Sequence, residues 1–267
     1  MISSLLKGIV KIDFILHCLT GLRIGGTAGG REIGGVENIV IKDPLTQEPY
    51  IPGSSLKGAM RARYELYKGY SLSKKLTVQM HLCEDQNCEV CVVFGRMPEF
   101  VEGTQQQSGQ QILNLTRLRV WDAFATEDTK RRWSTFGSVE VKGENAIDRI
   151  TSRANPRFVE RIAKGSEFEC KMGFFIFDDV RDVERLRVVF EALKFVEEDY
   201  LGAYGSRGYG RVSFRGLRVR VFNTDYFARP SEPANVREVF TGDSLSDVLS
   251  SMNDVVYGVK TFLGLEG

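Results

Sequence analysis

Two glycine-rich segments hold the residues best suited to chemistry in this 267-residue sequence. The first is Gly53-Ser-Ser-Leu-Lys-Gly58 with Arg61 just beyond it; the second runs from Gly202 to Arg211 and contains Gly205, Ser206 and Arg207. Glycine lets the backbone approach a ligand closely, amides at a helix start are free to donate, and neighbouring ammonium and guanidinium groups add positive charge. That combination suits a polyphosphate chain. A nucleotide cofactor is disfavoured, because the first segment lacks the Gly-x-x-x-x-Gly-Lys-Ser/Thr order of a Walker loop and the second lacks the dinucleotide-binding glycine spacing.

A second constellation is His81-Leu-Cys83, then Cys88 and Cys91. One imidazole and three thiolates match a closed tetrahedral zinc site, and ligands this close in sequence can staple an insertion that has no core of its own. Two alternatives stay open at this stage. A plant-type iron-sulfur cluster begins with similar spacings but needs a fourth cysteine, and Cys18 and Cys170 both fall on faces expected to be buried. Unligated thiols are the other. His17 reads as a strand residue with a partner.

Composition narrows the class. The chain is 42% hydrophobic, enough for a sizeable core without disulfides, and five cysteines, three of them within Cys83 to Cys91, fit a reducing compartment. No apolar run approaches the length of roughly 18 residues that a membrane span needs, so a cytoplasmic protein with no membrane partner is expected. The 36 basic residues nearly cancel the 35 acidic ones. Positive charge is nevertheless concentrated locally, in Arg207, Arg211, Arg215, Arg218 and Arg220, and in Arg149, Arg153, Arg157 and Arg161 at intervals of four.

The elements that must carry these residues are legible as periodicities. Val10 to Cys18 alternates as a half-buried strand, blurred by Ile15. Ser54 to Tyr67 reads as a helix capped by Ser54 or Ser55, with Leu56, Met60, Tyr64 and Tyr67 on one stripe and Lys57 and Arg61 on another face. Asp182 to Tyr200 is the clearest helix, and strands are expected at Phe168 to Phe177 and Val212 to Phe222. Strand, helix, strand at both ends of the chain is the pattern of a ferredoxin-like (RRM-like) α+β core. Between the two halves lie the cysteine segment, a glutamine-rich loop from Thr104 to Gln111, and an extended hairpin from Phe136 to Ile162 leading into a short helix near Pro156. A weak amphipathic helix, Leu245 to Phe262, ends the chain and could pack on a neighbour.

Four motifs in order, Ile33-Gly-Gly-Val-Glu-Asn-Ile-Val-Ile-Lys-Asp-Pro-Leu-Thr46, Ile51-Pro-Gly-Ser-Ser-Leu-Lys-Gly58, Ile147-Asp-Arg-Ile-Thr151 with Ala154-Asn-Pro-Arg157, and Asp199 to Arg211, resemble those of one family. It is the RAMP superfamily, specifically the repeated backbone subunit of type III-A (Csm) CRISPR effector complexes. The resemblance covers the chain from about Lys11 to Phe222.

The resemblance implies a single RAMP domain over 1–267, with a core at 8–65 and 166–222, a zinc-bearing insertion at 66–112, a thumb β-hairpin at 134–165 and a C-terminal extension at 223–267. It implies a filament of copies on a CRISPR guide RNA that pairs with target RNA, beside other type III subunits, with every sixth base pair disrupted by a thumb. Lys57 and Arg61 would then lie on guide phosphates, and Gly205, Ser206 and Arg207 against the RNA backbone. Ile147 and Ile150 would wedge into the duplex while Arg149 and Arg153 steady its phosphates, unless the two isoleucines are core residues. Target cleavage in the family resembles metal-assisted attack by a ribose 2′-hydroxyl, dependent on an aspartate. Here that position holds Glu37, the catalytic candidate with Mg2+ or Mn2+, and Arg23 stands in place of a family histidine. The alternatives to a cleaving backbone are a non-cleaving backbone and a stand-alone RAMP ribonuclease that processes precursor RNA.

Overall fold

A computed structural model describes residues 6–25, 39–73, 78–96, 115–177 and 180–265. In chain order the elements are β1 (Gly8–Cys18), α1 (Gly53–Tyr67), α2 (Glu89–Phe94), β2 (Leu118–Val120), β3 (Phe124–Ala125), α3 (Glu127–Phe136), β4 (Val139–Ile147), β5 (Ala154–Ile162), β6 (Glu167–Ile176), α4 (Val180–Glu184), α5 (Leu186–Glu198), β7 (Val212–Asn223), β8 (Val236–Ser244), α6 (Leu245–Ser250) and α7 (Met252–Leu263). One sheet runs β2-β6-β1-β7-β8 with β3 also beside β6, and β4 and β5 form a separate hairpin. Every strand pairing is antiparallel.

Alternation in β1 drives this arrangement. Val10, Ile12, Phe14, Leu16 and Cys18 are buried, while Lys11, Asp13, Ile15 and His17 sit on the more open face. Burying a side chain of this kind is worth about 1.5–3 kcal/mol, which locks the register of a strand whose faces differ so sharply. The buried face meets Leu56, Met60 and Tyr64 of α1 and Leu186, Phe190, Leu193 and Val196 of α5 in one core. Ile15 marks a structural irregularity: the pairing of β1 with β7 shifts between Asp13 and Ile15, opposite Arg215 and a positive-φ Gly216. His17 Nδ1 donates to the Glu167 carboxylate on the neighbouring strand at 2.9 Å.

Four local expectations are corrected. The helix cap at Ser54 or Ser55 is absent, since α1 already begins at Gly53 and its first amide donates instead to Asp122 Oδ1 at 2.7 Å. Gly53 packs so tightly on the sheet edge that a Cβ would fall 2.2 Å from the Val120 carbonyl oxygen. The short helix near Pro156 is a strand, with Pro156 opposite Asn145 in a two-stranded hairpin where a missing amide is tolerated. The terminal helix is two helices broken at Ser251, with Leu245, Val248, Met252, Val255 and Val259 buried against the chain's own sheet. Ser244 and Asp247 form a reciprocal capping box at its start. The expected helix from Asp182 to Tyr200 is likewise α4 followed by α5.

The glutamine-rich loop from Thr104 to Gln111 and Glu37 lie outside the described residues. Among the described residues no helix is long and apolar enough to cross a membrane.

Candidate nucleic-acid interface

The loop between α5 and β7 is built on backbone that only small or left-handed residues allow. Gly202 and Gly210 have φ of +80° and +73°, and a Cβ on either would fall 2.2 Å from the Arg23 carbonyl oxygen or 2.0 Å from that of Leu201. Close packing is what places the loop: Ala203 donates to the Arg23 carbonyl at 2.8 Å, and Gly210 donates to that of Gly21 at 3.0 Å. Gly205–Arg207 then forms a single 3-10 turn that exposes Ser206 and Arg207.

Beneath that turn, two tyrosines gather cations from elsewhere in the chain. The guanidinium carbons of Arg23, Arg207 and Arg157 lie 5.0, 5.2 and 5.8 Å from the centre of the Tyr204 ring. Lys142 Nζ and the Arg161 guanidinium lie 4.5 and 4.9 Å from the buried Tyr209 ring. Lys142, Arg157 and Arg161 come from the β4–β5 hairpin, so the glycine loop and the hairpin base form one basic, aromatic surface. Glu144 joins them, accepting from Arg157 at 2.8 Å and from Arg207 at 3.4 Å, while Arg161 pairs with Glu140 at 2.8 Å. Burial and the adjacent Glu144 carboxylate push the Tyr209 phenol up to about 12.

At the far end of the hairpin, Asp148 organises a tight turn by accepting from the amides of Ile150 at 2.9 Å and Thr151 at 2.7 Å. These bonds hold its carboxyl below the usual range although it is fully exposed. The turn projects Ile147 and Ile150, 65% and 95% exposed, which removes the alternative that they are core residues. Arg149 and Arg153 flank them and are exposed.

The two cations of α1 differ. Lys57 donates to the Leu118 carbonyl at 2.9 Å; burial, then the guanidiniums of Arg61 and Arg119, hold its ammonium below the ordinary value. Arg61 is 14% exposed and spends its donors inside the chain, on Glu65 at 2.6 Å and on the carbonyls of His81 at 2.6 Å and Gly95 at 3.0 Å.

Those last two bonds clamp the cysteine segment. The ligand atoms of His81, Cys83, Cys88 and Cys91 all lie within 4.8 Å of one another. Cys88 Sγ is 3.3 Å from His81 Nε2, and Cys83 Sγ is 3.8 Å from Cys91 Sγ. A tetrahedron of sulfur and nitrogen donors about 2.0–2.3 Å from an ion has edges of this length. His81 Nδ1 faces the Ser71 carbonyl at 2.9 Å, an arrangement that leaves Nε2 for a metal. The four residues therefore form a group able to hold a metal ion. Val90, Val93 and Phe94 of α2 tie it to the core, and Asn87 accepts from Arg181 at 2.9 Å through its side chain and from Arg185 at 3.3 Å through its carbonyl. Arg185 and Arg117 both grip the fully buried Asp182, at 2.8 and 2.9 Å. Cys18 and Cys170 are buried on β1 and β6, as their strand pattern implied.

Glu144, Tyr204, Tyr209, Asp122 and Asp182 are site or support residues that the sequence reading did not single out. The tyrosines lie inside the glycine motif and were visible there. The carboxylates meet partners between 3 and 69 residues away, which no local pattern encodes.

A model of the RAMP superfamily matches residues 15–213. The CRISPR system Cms endoribonuclease Csm3 of Methanothermobacter thermautotrophicus is 36% identical over 237 residues, covering 86% of this chain and 92% of that protein. Its counterpart in Methanocaldococcus jannaschii is 32% identical over 96% of this chain and 97% of that one. The chain belongs to the RAMP superfamily and, within it, to the Csm3 family. Two solved structures share the fold: Methanopyrus kandleri Csm3, with a TM-score of 0.65 at 20% identity over 94% of this chain and 98% of that one, and a Csm3–Csm4 subcomplex of the type III-A interference complex, with a TM-score of 0.57 at 24% identity over 93% and 97%.

Proposed function

We propose that this protein is the repeating backbone subunit of a type III-A CRISPR effector complex in the cytoplasm, binding guide RNA and, through it, target RNA. The observation that carries the reading is the joint surface of the glycine loop and the hairpin, where five cations surround Tyr204 and Tyr209. The arginines suit a phosphate chain and the partly exposed Tyr204 ring suits an unstacked base, while the buried Tyr209 holds Lys142 and Arg161 in place beneath them. Membership of a family whose relatives are named as CRISPR endoribonucleases supports the same partner.

In this reading the split pairing of β1, β6 and β7 around α1 and α5 is a ferredoxin-like core at 8–65 and 166–222. Residues 66–112 are an insertion stapled by zinc, 134–165 the thumb and 223–267 an extension folded on its own sheet. Gly205, Ser206 and Arg207 take the guide backbone together with Lys57. The part of Arg61 is to hold the insertion against α1, because its donors are already committed. Arg149 and Arg153 steady phosphates where Ile147 and Ile150 enter the duplex, and the exposure of these isoleucines is what favours that role. Its partners are further copies of itself and other type III subunits, in keeping with a fold shared with a Csm3–Csm4 subcomplex.

Cleavage of target RNA belongs to the same proposal, with Glu37 and Mg2+ or Mn2+ at the scissile ribose. Glutamate where the family has aspartate favours one second reading, a backbone that holds target without cutting it, since an added methylene displaces the carboxylate. Incubating the assembled complex with target RNA and Mg2+ or Mn2+ separates the two. Cuts at regular spacing that vanish in Glu37→Ala support cleavage; uncut target, or cutting indifferent to that substitution, leaves the non-cleaving form.

A further inference from the structure

We infer that Glu144 is an internal competitor for RNA phosphate: its carboxylate occupies the Arg157 and Arg207 guanidiniums in the RNA-free protein and yields Arg207 when RNA arrives. This rests on the reading of Arg207 as a phosphate contact. Glu144 lies on β4, one residue beyond Gly143, and its side chain is 11% exposed. One oxygen, Oε2, accepts from both guanidiniums, from Arg157 at 2.8 Å and from Arg207 at 3.4 Å. A carboxylate between two guanidiniums presents the same acceptor geometry as a phosphate.

The rest of the carboxylate is held from within the hairpin and the loop. Lys142 Nζ stands 3.8 Å from the other oxygen, Oε1, and the buried Tyr209 hydroxyl interacts with the carboxylate. These contacts, together with Arg157, keep Glu144 in place and partnered when Arg207 leaves it.

The two legs of the contact are unequal in the sense that exchange requires. Arg157 holds at the shorter distance and belongs to the same hairpin as Glu144. Arg207 holds at the longer distance, is 45% exposed, and belongs to the glycine loop. An incoming phosphate reaches Arg207 from solvent and needs to displace only the weaker leg. Until then the carboxylate offsets the mutual repulsion of Arg23, Lys142, Arg157 and Arg207 around the two rings. Stray polyanions meet a partly neutralised surface, whereas RNA that also engages the hairpin tip and Lys57 can complete the exchange. Glu144 is thus a positioning residue that sets the threshold for RNA, acting through Arg207.

The test is binding of a labelled single-stranded oligouridine to the full chain across a salt series, comparing wild type, Glu144→Gln and Arg207→Ala, with melting temperatures alongside. Freeing a half-exposed cation should tighten binding about two- to fivefold, the scale of one such ion pair, and steepen the log–log salt slope by about 0.7. A brace would give the opposite sign. Arg207→Ala should weaken binding and flatten the slope. If Arg207→Ala weakens binding while Glu144→Gln folds normally and binds equally or less well, the competitor role is refuted and the RNA reading stands. If Arg207→Ala changes nothing, the RNA reading of that loop fails, and this inference with it. Should Glu144→Gln not fold, Glu144→Asp carries the test, because its shorter side chain withdraws from Arg207 and keeps the charge; absence of any gain in affinity there also refutes the role.

Discussion

Replacing Arg61 with alanine distinguishes a phosphate contact from an internal strut. Its guanidinium is nearly buried and bonded to a Glu65 carboxylate that is only 4% exposed, and its remaining donors hold the His81 and Gly95 carbonyls. Removing one member of such a pair strands the other, a loss of about 3–5 kcal/mol; at about 2–4 °C per kcal/mol for a chain of this size, melting should fall by about 6–20 °C. The double substitution Arg61→Met with Glu65→Met should recover most of that loss, since no charge is left unpaired. Thermal and urea unfolding of the three variants, with bound metal measured in parallel, reads the effect. The metal should be lost with Arg61→Ala, because His81 is positioned through its carbonyl. Wild-type melting and metal content combined with severalfold weaker RNA binding would show that Arg61 serves RNA and that the strut argument is wrong.

Lys57→Ala should weaken RNA binding severalfold and lower the salt slope by about 0.7, with an unchanged slope placing Lys57 off the RNA path. Purified protein should carry one zinc per chain by elemental analysis, and Cys88→Ser should lose it; a preparation with neither zinc nor iron leaves four unligated side chains. Ile147→Ala with Ile150→Ala should melt within about 0.5 kcal/mol of wild type, both side chains being exposed, yet remove the regular interruptions in target pairing seen by base-reactivity mapping. Interruptions that persist would assign them to other residues.

Much of the core could be read from the sequence because its signals are local. Alternation fixed β1 from Val10 to Cys18, and a 3.6-residue stripe marked α5 through Leu186, Phe190, Leu193 and Val196. The glycine loop was recognisable from composition, and His81, Cys83, Cys88 and Cys91 from spacing. What was missed depended on partners distant in sequence. The amide at the start of α1 is satisfied by Asp122 rather than by Ser54, because the sheet edge arrives there in three dimensions. Pro156 looked like a helix start until its pairing with Asn145 placed it in a strand. An amphipathic terminal helix is equally suited to a neighbour, but β8 extends the sheet and α6 and α7 bury their apolar residues against it. Arg61 shows the same limitation most clearly: a lysine and an arginine four residues apart share a helix face, yet one of them is consumed by carbonyls 20 and 34 residues away.

The proposed repetition of this chain along a guide RNA can be read by chemical footprinting of guide and target RNA in the reconstituted complex, with any cut positions mapped. A repeating backbone gives protection that recurs with one interval per subunit, interrupted at every sixth nucleotide, and cuts, where they occur, on the same ladder. Irregular protection, or metal-independent cutting of repeat RNA by the isolated protein, would rule a repeating backbone out.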